Sequence, residues 1–183
     1  MKFSIVTISF NQATFLPACI ESVLSQDYKD VEYIVVDAGS TDGSRDIICQ
    51  YCNRIAAMIF DPDGGPADGL NKGFTFATGD VFAYINADDI LIEGAVRHMA
   101  ECFGLKPHAD VIYGNGVKID ERGRVTRQLF STHWGLKRYA HGACNVVQQA
   151  TFFRRAAFER AGGFNVNNRT CWDGELLVDL ALS

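Results

Sequence analysis

Apolar residues recur along the chain in two alternating rhythms. Residues 2–9 and 31–37 are near-continuous apolar and β-branched runs of strand length, each ending at a polar cluster. That is the pattern of strands buried on both faces. Between them Leu16, Ile20, Val23 and Leu24 recur at helical spacing, with Asn11 or Thr14 available as a cap and Pro17 tolerated in the first turn. The alternation continues with a helix carrying Ile47, Ile48, Tyr51 and Ile55 on one face, a short strand at 57–60 and a helix through Leu70, Phe74 and Ala77. A strand at 81–85 and a helix through Val96, Met99 and Phe103 follow. Strands and helices in this order predict a single α/β domain with a mainly parallel sheet flanked by helices. Beyond Asp110 the pattern changes. Residues 111–119, a turn at Glu121-Arg122-Gly123 and residues 125–130 predict a hairpin, residues 146–153 one more strand, and 156–161 a short helix ended by Gly162-Gly163. The apolar, helical stretch 175–183 stops without a polar cap, as a truncated or naturally short version of something longer would.

A chain of 183 residues that is 48% hydrophobic can bury a substantial core. Its net charge of -5 gives no general attraction to nucleic acid. Asn11 and Gln12 interrupt the first apolar run too early for a signal peptide, and no run approaches a membrane span, so a soluble cytoplasmic protein is expected. Six cysteines without a secretion signal suit the reduced state. Cys49 and Cys52 form a lone C-x-x-C inside an expected helix, and no histidine spacing completes a zinc site.

In parallel α/β sheets ligands bind beyond the carboxyl ends of the strands. Here those ends are Ser9-Phe10-Asn11, then Asp37 to Gly43, then Asp61 to Asp68, then Asn86-Ala87-Asp88-Asp89. The result is one acidic, glycine-punctuated crevice. So many carboxylates repel a phosphate-bearing ligand unless a cation intervenes, and Mg2+ or Mn2+ held by one or two carboxylates resolves the conflict. The alternative is that each aspartate caps a helix. That role suits Asp42 before Ser44, whereas Asp88 and Asp89 together exceed what one cap requires.

At these residues the chain resembles the inverting family 2 glycosyltransferases. The similarity runs in order through IVTISFN (5–11), VVDAGSTDGS (35–44), DPDGG (61–65), DGLNKG (68–73), INADD (85–89), QATFFRR (149–155) and WDGEL (172–176). The resemblance implies the A-type glycosyltransferase fold over residues 1–183. A Rossmann-like nucleotide-sugar-binding half would span about 1–110 and an acceptor-binding half about 111–183. It puts Ser9, Phe10 and Asn11 at the donor, with Phe10 against a uracil face and Asp37 at the imide N–H. Asp68 and Lys72 fall near ribose and diphosphate. Asn86-Ala87-Asp88 takes the place of the family's D-x-D metal motif, departing from it at the neutral Asn86, so Asp88 is the first and Asp89 the second metal ligand. Asp173 matches the general base that takes the acceptor's hydroxyl proton, with Glu175 as rival and a helix first-turn acid as the alternative for both.

The partners so implied are a nucleotide-sugar donor, a UDP-sugar because Asp37 would prefer uracil or thymine over purine bases, and a glycan or lipid-linked acceptor. A lipid-linked acceptor would bring the protein to the inner face of a membrane as a peripheral protein. The segment 134–139 mixes aromatic and basic residues that suit an acceptor, a membrane surface or a partly buried loop. His141 is a candidate for the acceptor site, and His98 and His108 read as structural. A dinucleotide oxidoreductase would need G-x-G-x-x-G after the first strand, a P-loop enzyme G-K-[ST], and a hydrolase elbow G-x-S-x-G, none of which occurs. The remaining competitor is a nucleotide-sugar-binding module without catalysis.

Overall fold

A computed structural model describes all 183 residues. Strands β1 (Phe3–Ser9), β2 (Val31–Asp37), β3 (Ala57–Ile59) and β4 (Val81–Asn86) pair in parallel in the order β3-β2-β1-β4. The sheet continues through β8 (Thr151–Arg154) and β5 (Val111–Tyr113), both joined antiparallel, to give the order β3-β2-β1-β4-β8-β5. The register aligns Ser9 with Asp37 and Ile8 with Asn86. The polar strand ends therefore finish at one level.

Helices cover both faces, which is why the parallel strands read as unbroken apolar runs. On one face α1 (Leu16–Leu24), α2 (Ser44–Gln50) and α4 (Ala95–Leu105) bury Leu16, Ile20, Ile48, Val96 and Phe103 against Phe3, Ile5, Val35 and Ile85. On the other, α3 (Pro66–Thr75), α6 (Arg155–Ala161) and α7 (Trp172–Leu182) bury Leu70, Phe74, Phe158, Leu176 and Leu180 against Val6, Val36, Phe82 and Phe153. Helix α3 lies so close to β1 that a Cβ on Gly73 would stand 2.5 Å from a methyl of Val6. Only glycine admits that approach.

Several expectations need correction. Residues 111–119 do not form one hairpin arm: Gly114-Asn115 divides the run, β5 joins the main sheet, and only β6 (Gly116–Ile119) pairs with β7 (Val125–Leu129) in a separate ribbon. Residues 148–150 are a single 3-10 turn before β8, so that strand is shorter than expected. Neither Asn11 nor Thr14 caps α1, whose cap is Phe15 without a side-chain bond. Asn11 instead takes a left-handed backbone (φ 53°) and ties two loops. Helix α2 ends at Gln50, leaving Cys52 and Ile55 in the following turn. All six cysteines are free thiols. The segment 134–139 holds a short helix, α5 (Leu136–Ala140). Both halves of the chain contribute strands to one sheet.

Candidate functional site

The carboxyl ends of β1, β2 and β4 open into a cleft of about 520 Å³ lined by Ser9, Phe10, Asp63, Asn86 and Asp88, among others. Phe10, 60% exposed, is the phenyl ring in its wall, and it suits stacking against a flat ligand. Ser9 is 5% exposed, and its Oγ has no hydrogen-bond partner. Buried hydroxyls rarely stay unpaired, so this one is available to a ligand.

Asp37 does not line the cleft. It is fully buried, and its Oδ1 accepts hydrogen bonds from the amides of Gly39 and Ser40 and from Arg45 Nε at 2.8 Å, while Oδ2 accepts only from the Ser40 hydroxyl. Burial alone would raise this acid. Arg45 and the Ser40 and Gly39 donors outweigh burial and hold it below the usual carboxylate range. In this arrangement Asp37 braces the β2–α2 loop. Asn11 joins the same brace: its amide donates to Ser40 Oγ and its side-chain oxygen accepts from Thr41. Asp42 accepts from the amides of Ser44, the first residue of α2, and of Ala13, so it links the two loops just ahead of the helix, whose cap is Gly43 without a side-chain bond. Asp68 and Lys72 pair at 3.0 Å, and the lysine also donates to the Pro62 carbonyl.

The Asn86–Asp89 turn closes on itself. The Asp89 amide donates to the Asn86 carbonyl, and Asp89 Oδ2 accepts from the Asn86 side chain at 3.2 Å and from Gln149 at 2.9 Å. Burial raises the Asp89 carboxyl, the neighbouring charge of Asp88 adds to the rise, and the two amide donors offset it only in part. Asp88 is exposed on the cleft wall. An acid kept above its ordinary value beside a second carboxylate is a place where a cation would be favourable. The chain has no group of three His, Cys, Asp or Glu side chains able to enclose an ion by itself. The donor set therefore fits a hard cation that takes one or two carboxylates and completes its shell with water and phosphate oxygens.

A second cavity, of about 210 Å³, shares no lining residue with the first. Tyr84 lines it, two residues before Asn86 on the same face of β4, together with Trp134, Tyr139, Gln148, Asp173 and Leu176. Asp173 is the only acid in its wall. Both sequence candidates for the base lie in the first turn of α7, but their surroundings differ. Glu175 accepts hydrogen bonds from the Asn165 and Asn168 side chains, which pull it below its ordinary range. Asp173 accepts only from the amide of Gly174. Burial raises the Tyr84 hydroxyl, and the charges of both Asp173 and Asp89 raise it further. Tyr139 rests on the same turn: a Cβ on Gly174 would overlap its hydroxyl, which contacts the Cys171 thiol at 3.4 Å.

His141 is exposed after α5 and does not line this cavity. Trp134 and Tyr139 of the segment 134–139 do line it, whereas the sequence alone assigns no role to Arg45, Asp63 and Gln149. Gln149 belongs to one recognisable motif and Asp63 to another, whereas Arg45 has no local signal.

A family model described as Glycosyl transferase family 2 matches residues 4–162, ending before Asp173. A PGL/p-HBAD biosynthesis glycosyltransferase of Mycobacterium bovis is 32% identical over 177 residues, covering 93% of this chain and 67% of the relative. The crystal structure of S. aureus TarS 1-349 in complex with UDP superposes with a TM-score of 0.77 at 22% identity, covering 100% of this chain and 55% of that one. The mannosyltransferase PcManGT from Pyrobaculum calidifontis, in complex with GDP-Man and Mn2+, gives 0.73 at 18% identity, covering 98% and 52%. The two structures establish an A-type glycosyltransferase fold. The chain spans between 40% and 67% of the length of the curated relatives it matches first.

Proposed function

The chain belongs to glycosyl transferase family 2, and from that premise we propose that it moves a sugar from a UDP-sugar to a hydroxyl of a glycan or lipid-linked acceptor, with inversion at the anomeric carbon. The observation that carries this reading is a pair of cavities that both draw on β4, one ringed by loops with carboxylates and an exposed phenyl ring, the other holding a single acid. Residues from the first 110 line the donor cleft, and residues after 111 supply most of the acceptor cavity.

In this reading Phe10 stacks on the uracil ring. Asp37 receives the imide N–H once the Ser40 hydroxyl turns away from Oδ2, and Ser9 Oγ and the exposed amide edge at Asn11 contact the nucleoside. Asp68 and Lys72 exchange their mutual contact for the ribose and diphosphate. Asp88 and Asp89 would hold Mn2+ or Mg2+, with Asn86 fixing Asp89; the bound cation supplies charge neutralisation for the departing diphosphate. Asp173 takes the acceptor hydroxyl proton as the acceptor oxygen bonds to the anomeric carbon. The carbon–oxygen bond to the diphosphate breaks on the opposite side, and UDP leaves with the electron pair.

The Mn2+-bound and UDP-bound neighbours support the cation and the nucleotide. Asn86, whose amide is committed to Asp89, favours one second reading, a nucleotide-sugar-binding module without turnover. Thermal unfolding with UDP separates the possibilities. With Mn2+ or Mg2+, UDP at a hundredfold excess over its dissociation constant should stabilise the fold by about 2.7 kcal/mol, and much less with a chelator. Equal shifts remove the cation from the site. Metal-dependent binding without donor hydrolysis or transfer to any supplied acceptor supports the module. No helix is long and apolar enough to cross a membrane.

A further inference from the structure

The β6–β7 ribbon is covered by nothing else in the molecule. The two strands pair only with each other, and every residue from Val117 to Gln128 except Asp120 is exposed. Its base is tied down, with Ser131 Oγ donating to the Gly114 carbonyl and Asn145 donating to the Phe130 carbonyl. A lone two-stranded ribbon is marginal in water. This one carries apolar side chains on one face, where Ile119 lies opposite Val125 and Val117 stands two residues away. Val125 and Phe130 are each 61% exposed.

The other face is cationic. Lys118 lies directly opposite Arg127, and like charges so placed destabilise a ribbon. The ribbon's one ion pair, Arg124 with Asp120, sits at the turn and leaves both unpaired. Residues 116–139 carry six basic and two acidic side chains, whereas the rest of the chain carries eleven basic and twenty acidic. An acidic protein thus concentrates its cations beside its most exposed aliphatic strand pair. Nucleic acid would use the cations and leave the aliphatic face in water. An anionic bilayer uses both, taking apolar side chains at the headgroup boundary and basic ones at the phosphates.

We propose that the β6–β7 ribbon docks on an anionic phospholipid surface, with Val117, Ile119 and Val125 entering the headgroup boundary and Lys118 and Arg127 reaching the phosphates. Their long stems can bend around a ribbon only two strands wide. This deepens the lipid-linked option of the proposed reaction. The measurement below needs neither nucleotide nor acceptor, so its failure leaves the transfer reading intact, and the converse holds.

Co-sedimentation of the 183-residue chain with phosphatidylcholine vesicles, with and without phosphatidylglycerol, tests it. Binding is expected only with phosphatidylglycerol. Each basic side chain near such a surface contributes roughly a fivefold change in partition, so Lys118→Ala with Arg127→Ala should lower partition by about 25-fold. Their thermal midpoint should stay level or rise, because a repulsive pair is gone. Lys29→Ala with Lys106→Ala removes the same charge from exposed sites elsewhere and should have far less effect. Val125→Ser with Phe130→Ser should weaken binding at unchanged charge. Absence of binding to phosphatidylglycerol vesicles overturns the proposal, as does an equal loss from the Lys29 and Lys106 double variant. Retention of full binding by Val125→Ser with Phe130→Ser would make the ribbon a site for polyanions and not for a bilayer.

Discussion

At the amino ends of the strands, Glu32 is nearly covered and accepts hydrogen bonds from Lys2, Ser4 and both the amide and hydroxyl of Thr78. At the carboxyl ends, Asp89 is also partly buried, yet it accepts side-chain hydrogen bonds from only two neutral amides, Asn86 and Gln149, and has Asp88 beside it. Burial raises both acids. The donors around Glu32 outweigh burial and bring it down to about 2, whereas Asp89 stays above its ordinary value. The same residue chemistry therefore serves opposite purposes at the two edges of one sheet. One edge satisfies its acid completely and gains stability, and the other leaves its acids short of positive partners, which is what a cationic or phosphate-bearing ligand can complete.

The sharpest way to break this contrast is at Asp173. A general base contributes about 10² to 10⁴ fold to rate, so Asp173→Asn should reduce transfer by roughly a hundredfold or more while UDP affinity and the thermal midpoint stay nearly unchanged. Glu175→Gln, whose carboxylate is already engaged by Asn165 and Asn168, should do less to rate. The reverse ranking would move the base to Glu175.

Glu32 should show the opposite profile. Glu32 is buried but its partner Lys2 is 42% exposed, so the loss is that of hydrogen bonds to a charged group, about 2 kcal/mol, and Glu32→Ala should lower the midpoint by roughly 4–8 °C in a chain of this size without altering the UDP-induced shift. Because the folded carboxyl is depressed, its contribution is complete above its ordinary value of 4.5 and is lost as pH falls toward about 2. Glu32→Gln should flatten the acid limb of the stability curve in that window. An unchanged limb would mean that the network does not hold in solution.

The smallest effect, and of opposite sign, is expected at Asp89. Its raised value means that stability is lost as pH rises from 3.8 through the folded value. With a chelator at neutral pH, Asp89→Asn should therefore raise the thermal midpoint. A fall in the midpoint would make Asp89 a structural acid like Glu32.

Much of this contrast is legible in the amino-acid sequence alone. The apolar runs at β1, β2 and β4 mark doubly covered strands, and the polar residues just after them mark the cleft. Phe10, Ser9, Asn86 and Asp88 stand together in its wall as their strand-end positions suggest. The role of Asp37 cannot be read in the same way, because its principal partner, Arg45, is eight residues on with no periodic relation to it. The hairpin expected at 111–130 holds for β6 and β7, but its first three residues leave it for a similar reason. β5 pairs with β8, nearly forty residues later, and nothing in the local sequence reports a partner so distant. Gln149 belongs to a recognisable motif, but its contact with Asp89 is a matter of tertiary placement.

The strand order sets a schedule for the nascent chain. β1 is made first, yet it ends up in the middle of the sheet, with Val6 beside Ile34 on one side and Tyr84 on the other. During synthesis β2 can join it early, but the opposite edge of β1 waits for some eighty residues to leave the ribosome, and β5 then waits again for β8. Pairings of such long separation form slowly, and unpaired apolar edges invite association with other chains while they wait. The carboxyl-end crevice draws on Asn86, Ala87 and Asp88, so it cannot assemble until β4 joins β1, and slow translation across residues 40–80 should lower the yield of active protein.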